Sequence, residues 1–575
     1  MPRRVRTAVD AASSGCGKLE SNTRAHGLAA RGEEVGVGRR LEQWPTPAQP
    51  AGTISGQWEK CPAVWRHQGG DFTRPEAKQQ PDEPLTDAER AAYGASRSGT
   101  IFASRTQQEE NVMSPPTTVA ADLLQQYDRP GPRYTSYPTA VEFNESVDQQ
   151  AYLSRLAEAR THTSEPLSLY VHLPFCEHRC SFCGCLVIIT HKREVAARYL
   201  GYLHREVEML ATQLGDRRRI VQYHWGGGTP TYLTPPQMQA LHDTVTRHFE
   251  IDPQAEVAVE VDPRVTTHEQ IALLRSLGFN RLSMGVQDFT PRVQHAIDRH
   301  QGEVQTRELF TYARAAGFES LNVDLIYGLP FQTIETFDRT LESVVDMRPE
   351  RVAVYSYAHV PWLRGNQKRI DPSDLPPRDL KFELLLHALD RFLDAGYIQI
   401  GMDHFALPSD VLAIAAANRT LHRNFMGYTT KPATDMLGVG VSAISDVRGA
   451  FTQNVKKLST YYAALDARRF PVERGYILEA DDLVRRHVIT QLMCNFYLDR
   501  RQVEHRFGIS FGEYFRWELA TLTADPGPVV HGLVRIDSEK VEVLPPGRLF
   551  IRNICMVFDR YRRAHTEEPA FSRTI

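Results

Sequence analysis

The chain has 575 residues, of which 42% are hydrophobic and 24% charged, and its formal net charge is −3. This balance provides no basic field for binding nucleic acid, and no apolar run approaches the roughly 18 residues of a membrane-spanning helix. The amino terminus lacks the apolar segment of a secretory signal. The eight cysteines are unevenly clustered, which favours metal chemistry in a reducing compartment, so we expect a cytoplasmic protein.

Residues 1–112 are rich in Gly, Ser, Arg, Gln, Pro and Glu and show little periodic apolar pattern. Such a segment buries too little apolar surface to offset the entropy of ordering, so we predict a disordered extension. Met113 lies just before the first organised sequence and is the expected true start of the protein. A targeting peptide is the alternative, although the many acidic residues argue against it.

Residues 113–165 are predicted to form an amino-terminal arm. A short helix over 122–127 is followed by Arg129-Pro-Gly-Pro-Arg-Tyr-Thr-Ser-Tyr-Pro138, which contains too much proline for a regular element. Two interpretations of this stretch remain open, an ordered arm of aromatic and basic side chains and a surface linker.

From residue 166 to residue 406 the pattern alternates between strand and helix. The candidate strands are 167–173, 220–225, 256–261, 281–286, 321–326, 351–357 and 398–402. Between them, apolar residues recur at three- and four-residue steps, which predicts helices over 194–214, 235–249, 267–277, 303–316, 334–347 and 378–395. Repeated strand–helix units imply a parallel sheet with right-handed crossovers, and six or more in series suggest a closed or partly closed barrel.

The alternation ends after residue 406, and 407–575 is predicted to be a smaller α+β domain, mainly helical. The small-residue stretches 427–430 and 437–444 are predicted loops that approach a ligand. Helices are expected over 482–498 and 511–523, followed by a β-pair of 534–536 with 541–543. Cys494 and Cys555 have apolar neighbours in the sequence and are expected to be buried core thiols.

Cys176, Cys180 and Cys183 follow the first strand with the spacing C-x3-C-x2-C. Structural zinc sites usually pair two separate knuckles, and ferredoxins use four cysteines at other spacings. Three thiolates suffice for three irons of a 4Fe-4S cluster and leave the fourth iron open, although zinc and incidental thiols remain alternatives. In an extended backbone Cys185 would point to the opposite side, so it is not counted as a ligand.

Polar residues and glycines stand where successive strands end, and a barrel presents its active site at this edge. Gly226-Gly-Gly-Thr229 follows one strand, Glu260 closes the next, Gln287 and Asp288 end a third, and Asp324 lies in a fourth. Each feature alone is more often structural. Together they favour a shared ligand pocket.

The three-cysteine loop resembles that of the radical S-adenosylmethionine (SAM) superfamily. Longer motifs resemble the oxygen-independent coproporphyrinogen III oxidase (dehydrogenase) family, and the resemblance runs from about residue 120 to residue 575. These motifs include Tyr170-Val-His-Leu-Pro-Phe-Cys176, His224-Trp-Gly-Gly-Gly-Thr-Pro-Thr-Tyr-Leu233, Glu260-Val-Asp-Pro-Arg264, Asp324-Leu-Ile-Tyr-Gly-Leu-Pro330 and Gly401-Met-Asp-His-Phe-Ala406.

The resemblance implies an α/β fold with a partial, TIM-like (β/α)6 barrel over 166–406. It implies oxidative decarboxylation of coproporphyrinogen III to protoporphyrinogen IX in haem synthesis, by a 5′-deoxyadenosyl radical mechanism with a 4Fe-4S cluster and two SAM molecules. The implied cluster ligands are Cys176, Cys180 and Cys183. The implied contacts of the SAM on the cluster are Tyr170, Gly227, Glu260 and Ile444. The implied contacts of the second SAM are Phe182, Gly228, Thr229, Gln287, Arg299, Asp324 and Ala358.

Other assignments concern the substrate and partners. Arg133 and Tyr134 are candidate contacts of the acidic substrate, and His172 is either a support of the cluster or a satisfied strand histidine. Met426 stands where the family usually has Gln, which puts a polar contact there in doubt. The family also implies a low-potential electron donor and an electron acceptor, and we expect a monomer without a membrane span. The alternatives are a haem chaperone without decarboxylase activity and a non-catalytic zinc or cluster scaffold.

Overall fold

The computed structural model describes residues 121–432, 435–564 and 571–574. The predicted disordered extension of residues 1–112 and the proposed start at Met113 lie outside the described residues.

The described strands, numbered in chain order, are β1 (Leu167–Leu173), β2 (Phe175–Cys176), β3 (Ile188–Ile189), β4 (Arg219–Gly227), β5 (Glu250–Val261), β6 (Arg281–Gln287), β7 (Ser320–Tyr327), β8 (Arg351–Ser356), β9 (Ile398–Ile400), β10 (His404–Ala406), β11 (His422–Asn424), β12 (Gly427–Thr429), β13 (Asp435–Val439), β14 (Ile444–Val447), β15 (Ala450–Asn454), β16 (Val472–Ile477), β17 (Tyr497–Asp499), β18 (Val534–Ile536) and β19 (Lys540–Val543).

The described α-helices are α1 (Ala121–Tyr127), α2 (Gln149–Arg160), α3 (Arg193–Leu214), α4 (Pro235–His248), α5 (His268–Ser276), α6 (Pro291–Ala296), α7 (Glu303–Ala315), α8 (Ile334–Met347), α9 (Arg378–Asp394), α10 (Val411–Ala417), α11 (Leu458–Asp466), α12 (Ala480–Asn495), α13 (Arg500–Phe507), α14 (Phe511–Tyr514), α15 (Arg516–Thr523), α16 (Pro545–Arg548), α17 (Ile551–Val557) and α18 (Arg560–Ala564). Of these helices, none combines the length and the apolar character that crossing a bilayer requires.

One mixed sheet of twelve strands organises the fold, in the order β16-β15-β14-β13-β1-β4-β5-β6-β7-β8-β10-β9. The strands β1, β4, β5, β6, β7 and β8 are parallel neighbours in sequence order, and helices lie between them along the chain. This confirms the predicted α/β class. Because parallel strands end at one edge, the residues that follow them are brought together there.

The apolar periodicity of the crossover helices predicts their buried faces. In α3 the predicted stripe of Tyr199, Leu203, Val207, Leu210 and Leu214 is buried in the main core. The same core contains the inward residues of β1 and β4, so these helices cover the sheet as the pattern requires.

Two predicted loops are strands in part, and residues 440–443 form the turn between β13 and β14. The stretch 427–430 contains β12, which forms a hairpin with β11, and 437–444 contains most of β13, which pairs in parallel with β1. A Cβ on Gly438 would lie 2.3 Å from the carbonyl oxygen of Ile444. The small residues therefore permit close backbone packing between β13 and β14, and the approach of this stretch to a ligand stays a prediction.

The carboxyl-terminal part has its own apolar core, formed mainly by α12, α14, α15 and α17. The predicted β-pair is confirmed and gains a third strand, β17. The helix predicted over 511–523 was wrong as a single element, because Phe515 leaves helical geometry (φ −104°, ψ 26°) and separates α14 from α15. The boundary at residue 406 stays a prediction, although β13 to β16 extend the main sheet beyond it.

The proline-rich arm is ordered and held by the carboxyl-terminal segment. The Arg552 guanidinium donates to the carbonyl oxygens of Pro132 (2.9 Å) and Thr574 (3.0 Å). The Thr574 N–H donates to the Arg129 carbonyl at 2.9 Å. Since Arg552 is buried, these bonds fix the arm beside the sheet, and the surface-linker alternative is wrong.

A buried ion pair fixes the start of β13, which supports β1. Arg217 and Asp435 are bonded and both side chains have 0% exposure. We expect Asp435→Ala to lower the free energy of unfolding by about 3–5 kcal/mol, because it leaves the Arg217 charge buried without its main partner. Urea unfolding measures this. In contrast, Asp466→Ala removes a pair with Arg205 whose side chains are about half exposed, and it should cost less than about 1 kcal/mol. Equal losses in both variants would contradict the prediction.

A buried carboxyl group should make stability depend on pH. Glu206 accepts hydrogen bonds from Asn454, Tyr461 and the Gly440 N–H, and burial raises the pKa of Glu206 from 4.5 to about 7. Between these values the native state binds the proton more tightly than the unfolded chain, so stability falls as pH rises toward 7.

We expect Glu206→Gln to remove this contribution. Between about pH 5.5 and pH 7.5, the wild type should lose about 2 kcal/mol more than the variant. Chemical denaturation at both pH values checks this. Glu208→Gln, on the exposed face of the same helix, is the control and should behave as the wild type, whereas the same pH dependence in Glu206→Gln and wild type would refute the assignment.

Candidate active site

The glycine turn that follows β4 lies against the start of the cysteine loop, residues 176–185. Gly228 N–H donates to the Leu173 carbonyl at 2.9 Å, and Thr229 N–H donates to the Phe175 carbonyl at 2.8 Å. A Cβ at Gly228 would lie 2.7 Å from the Phe175 oxygen, and Gly227 has a φ of +117°. Both positions therefore require glycine, and the turn and the loop form one unit.

Glu260 lies near the end of β5 and faces this turn. Its carboxylate accepts the Gly227 N–H at 3.1 Å and lies 3.3 Å from Nε2 of His224. Burial would raise the pKa of Glu260, but the contacts with His224 and Gly227 outweigh burial and hold the pKa below its ordinary value. An ionised carboxylate at this edge can accept hydrogen bonds from a cationic amine or from hydroxyl groups.

His172 connects β1 to the far end of the cysteine loop. Its Nδ1 lies 3.0 Å from the Tyr170 hydroxyl, and its Nε2 lies 3.4 Å from the Leu186 carbonyl oxygen. A carbonyl only accepts, so Nε2 carries the proton and Nδ1 accepts from Tyr170. Burial lowers the pKa of His172 to about 4, so the ring is neutral at pH 7. His172 is thus a satisfied histidine that also holds the loop.

The three predicted ligand cysteines lie in polar surroundings. Cys176 Sγ is 3.4 Å from the Thr229 hydroxyl. Burial raises the pKa of Cys176 to about 11, and the charges of Cys183 and Cys180 act in the same direction. This mutual influence shows that the three thiols share one small region.

Two guanidinium groups flank the buried Cys180. Arg264 Nη2 lies 3.6 Å and Arg299 Nη1 lies 3.7 Å from its sulfur. Both arginines also bind the Asp262 carboxylate. Burial would raise the pKa of Asp262, but Arg299 and Arg264 hold it below its usual range. The two guanidinium groups thus place positive charge beside the Cys180 sulfur.

Cys185 does not point away from the other thiols, so the expectation from an extended backbone was wrong. The loop turns here, and the Cys185 thiol is hydrogen-bonded to Cys183. This bond lowers the pKa of Cys183 and raises that of Cys185. Cys185 therefore supports the thiolate form of its neighbour.

The loop fits an iron–sulfur cluster by its donor chemistry. Three soft thiols lie within eight residues, with arginines beside one and a thiol donor beside another. Across the described residues, no three His, Cys, Asp or Glu side chains stand in an arrangement that could hold a metal ion. The fit therefore rests on ligand type and neighbouring charge, which suit iron and thiolate.

Asp324 lies deeper, in a cavity of about 130 Å³ that Glu260 and Tyr355 also line. Asp324 accepts hydrogen bonds from Ser283 (3.0 Å) and Asn322 (2.8 Å). Burial and the charge of Glu260 raise the pKa of Asp324 to about 6. The structure thus brings the two predicted carboxylates into one cavity.

The remaining predicted SAM contacts lie on several different elements. Arg299 donates to Asp262, to the Gly285 carbonyl and to Gln301, and Gln287 ends β6 with a φ of +70°. Phe182 packs against a small apolar cluster, and Ile444 begins β14. The roles of these side chains toward a ligand stay predictions.

The two arm residues face different directions. Arg133 donates to Asp403 (3.4 Å) and to the Ser356 carbonyl (3.3 Å), and so reaches the end of β8. Tyr134 is buried and donates its hydroxyl to Asp559 at 2.8 Å. Only Arg133 lies next to the parallel strands.

Several residues at this site were not assigned from the sequence. Asp403 is hydrogen-bonded to His404 at 2.7 Å and lies near Arg133. The hairpin of β11 and β12 lines the cavity of Asp324 through Met426 and Tyr428. The motif containing Asp403 was visible in the sequence, but only the fold shows which neighbours it meets.

Comparison with known proteins identifies close relatives. A model of the radical SAM superfamily matches residues 170–344. The oxygen-independent coproporphyrinogen III oxidase of Salmonella typhimurium is 46% identical over 79% of this chain and 98% of that protein. The enzyme of that name from Escherichia coli K12 is 45% identical over the same shares. A solved structure of Escherichia coli coproporphyrinogen III oxidase, described as a radical SAM enzyme, matches 77% of this chain and 99% of that chain, with 43% identity and a TM-score of 0.73.

Because the glycine turn contacts the cysteine loop closely, a methyl group added at Gly228 should specifically impair the binding of iron by the loop. We expect Gly228→Ala to lower the iron bound per chain after anaerobic reconstitution by about tenfold, because the added Cβ displaces the Phe175 backbone. Gly201→Ala is the matched control, since a Cβ there meets nothing within 4 Å, and it should bind iron as the wild type does. Full iron binding by Gly228→Ala would show that the loop does not depend on this contact.

Proposed function

The chain belongs to the oxygen-independent coproporphyrinogen III oxidase family of radical SAM enzymes, and we propose that it converts coproporphyrinogen III to protoporphyrinogen IX without oxygen. The observation that carries this proposal is the joining of the cysteine loop, the glycine turn and the ionised Glu260 at one edge of the parallel sheet. The similarity to curated enzymes supports this activity and not the haem-chaperone alternative.

We assign the cluster to Cys176, Cys180 and Cys183. When bound, the cluster and SAM supply a low-potential electron and a 5′-deoxyadenosyl radical. Arg264 and Arg299 place positive charge beside the Cys180 sulfur, and the contact with Cys185 lowers the pKa of Cys183. Cluster binding requires deprotonated ligand sulfurs, and of the three cysteines Cys183 has its pKa lowered, whereas burial raises that of Cys176.

We propose that two SAM molecules bind on either side of the loop. The first would contact Tyr170, Gly227, Glu260 and Ile444, and the ionised state of Glu260 supports recognition of a cationic amine. The second would contact Phe182, Gly228, Thr229, Gln287, Arg299, Asp324 and Ala358. Asp324 accepts hydroxyl donors already, which suits a ribose.

We also propose that β1 and β4 to β8 form the predicted partial (β/α)6 barrel, with residues 407–575 as an α+β domain beside it. The parallel order of these six strands supports this proposal. The six described cysteines are free thiols, which agrees with the predicted cytoplasmic location. The monomeric state stays a prediction.

The substrate is a macrocycle with carboxylate arms, and we place Arg133 at one propionate. Its guanidinium lies over the Tyr355 ring, 5.5 Å from the centroid, and reaches the strand ends. Tyr134 supports the arm through Asp559. Asp403 and His404 hold the guanidinium in place, and a substrate carboxylate can replace part of that contact.

The reaction removes one carboxyl group, as CO2, from each of two propionates. It also removes two reducing equivalents from each, one as a hydrogen atom and one as an electron. Each –CH2–CH2–COO⁻ group becomes –CH=CH2 and CO2, and it loses one hydrogen atom and one electron. SAM would supply the acceptor of the hydrogen atom, and an external acceptor would take the electron. A low-potential donor and this acceptor are therefore the proposed partners.

The proposed function can be tested by an activity assay with anaerobically reconstituted protein. We expect SAM-dependent release of CO2 from coproporphyrinogen III and formation of protoporphyrinogen IX. Mass spectrometry detects both products. Cys183→Ser should abolish both, since it removes a ligand sulfur, while Cys494→Ala removes a buried thiol outside the site and should retain turnover. SAM cleavage or haem binding without CO2 release in the wild type would overturn the proposed function.

A further inference from the structure

A short 3-10 helix, Gly365–Arg369, contacts the cysteine loop. The Asn366 side-chain amide points its nitrogen at three loop carbonyls. Nδ2 lies 3.2 Å from the oxygen of Cys180, 3.0 Å from that of Ser181 and 3.0 Å from that of Cys183. Two N–H groups are thus shared among the carbonyls of two predicted ligand residues and of the serine between them.

Gln367 makes a second set of contacts with the same loop. Its side chain is 2% exposed, and Nε2 donates to the carbonyls of Phe182 (3.0 Å) and Ala358 (3.1 Å). Its Oε1 accepts the Val360 N–H at 2.6 Å. A single buried amide therefore ties the loop to the segment after β8.

The loop between Cys180 and Cys185 has little structure of its own. Within the loop the Cys183 N–H donates to the Cys180 carbonyl at 3.3 Å, whereas the Ser181 N–H donates outward to the Ile297 carbonyl at 2.8 Å. Its carbonyls depend on side-chain donors because no strand or helix pairs them. Asn366 and Gln367 supply these donors from a distant part of the chain.

We propose that Asn366 and Gln367 are positioning residues that hold the cysteine loop in its ligand-presenting shape before any cofactor binds. Gln367 also couples the loop to the second ligand pocket, since Phe182 and Ala358 are both assigned to the second SAM. The inference rests on the proposed function in taking these cysteines as the ligands and, for the coupling, in assigning Phe182 and Ala358 to the second SAM. Its direct test concerns the protein without cluster and is therefore independent of activity.

The first test is hydrogen exchange of the full-length apo-protein under reducing conditions. We expect Asn366→Ala and Gln367→Met to speed exchange of the Ser181 and Cys183 amides by at least about tenfold, since two or three hydrogen bonds are lost in each. Asn366→Asp keeps the size and removes the donor, so it should match Asn366→Ala. It also provides a second variant if the alanine form is poorly folded.

Lys368→Ala is the matched control from the same 3-10 helix. Lys368 is exposed, and its replacement should leave exchange in the loop unchanged. Wild-type rates in Asn366→Asp and Gln367→Met, or rapid loop exchange in the wild type itself, would overturn the proposal.

A second measurement separates positioning from general stability. After reconstitution, the Asn366 and Gln367 variants should show a several-fold faster loss of iron to a chelator and an altered electron paramagnetic resonance spectrum of the reduced cluster, at a melting temperature close to the wild type. Unchanged iron loss and spectrum would overturn the role. If the wild type binds a cluster but releases no CO2, the proposed function fails while this inference stands.

Discussion

The close approach of the glycine turn to the cysteine loop is the constraint on which the rest of the site depends. Gly228 and Thr229 donate to backbone carbonyls between β1 and the loop, at a distance that a side chain on Gly228 would prevent. The turn also brings the Gly227 N–H to Glu260. One contact between adjacent parallel strands thus aligns the thiols with the carboxylate.

Burial and neighbouring charge then assign each titratable group a state. His172 is neutral because burial lowers its pKa, so it can accept from Tyr170 and donate to the loop. Glu260 stays ionised because His224 and Gly227 compensate its burial. For Asp324 the hydrogen bonds offset the effect of burial less completely, so its pKa rises to about 6. Its carboxyl group can therefore hold a proton deeper in the cavity. The site therefore carries its negative charge near the loop.

The sequence predicts the parallel strands well because each contains a short apolar run and is followed by a helix with a periodic apolar face. It fails for 437–444, where small residues indicate a loop although Gly438 serves close strand packing. It also fails for Cys185, because the backbone there turns instead of extending. These errors arise where tertiary contacts decide the local conformation.

The strand-end residues Glu260 and Asp324 could be predicted because parallel strands end together. Asn366 and Gln367 could not, since they lie in a segment without periodic pattern and act on carbonyls nearly two hundred residues away in sequence. Hydrogen bonds from a side chain to a distant backbone leave no spacing signal in the chain. The same holds for the pairing of Arg133 with Asp403.

The central claim is that this site removes hydrogen from a propionate arm of a porphyrinogen. The most direct measurement uses coproporphyrinogen III deuterated at the propionate carbons next to the ring, with mass spectrometry of the 5′-deoxyadenosine formed under anaerobic turnover. The account predicts 5′-deoxyadenosine that carries deuterium and accumulates together with CO2. Release of CO2 with unlabelled 5′-deoxyadenosine would contradict it.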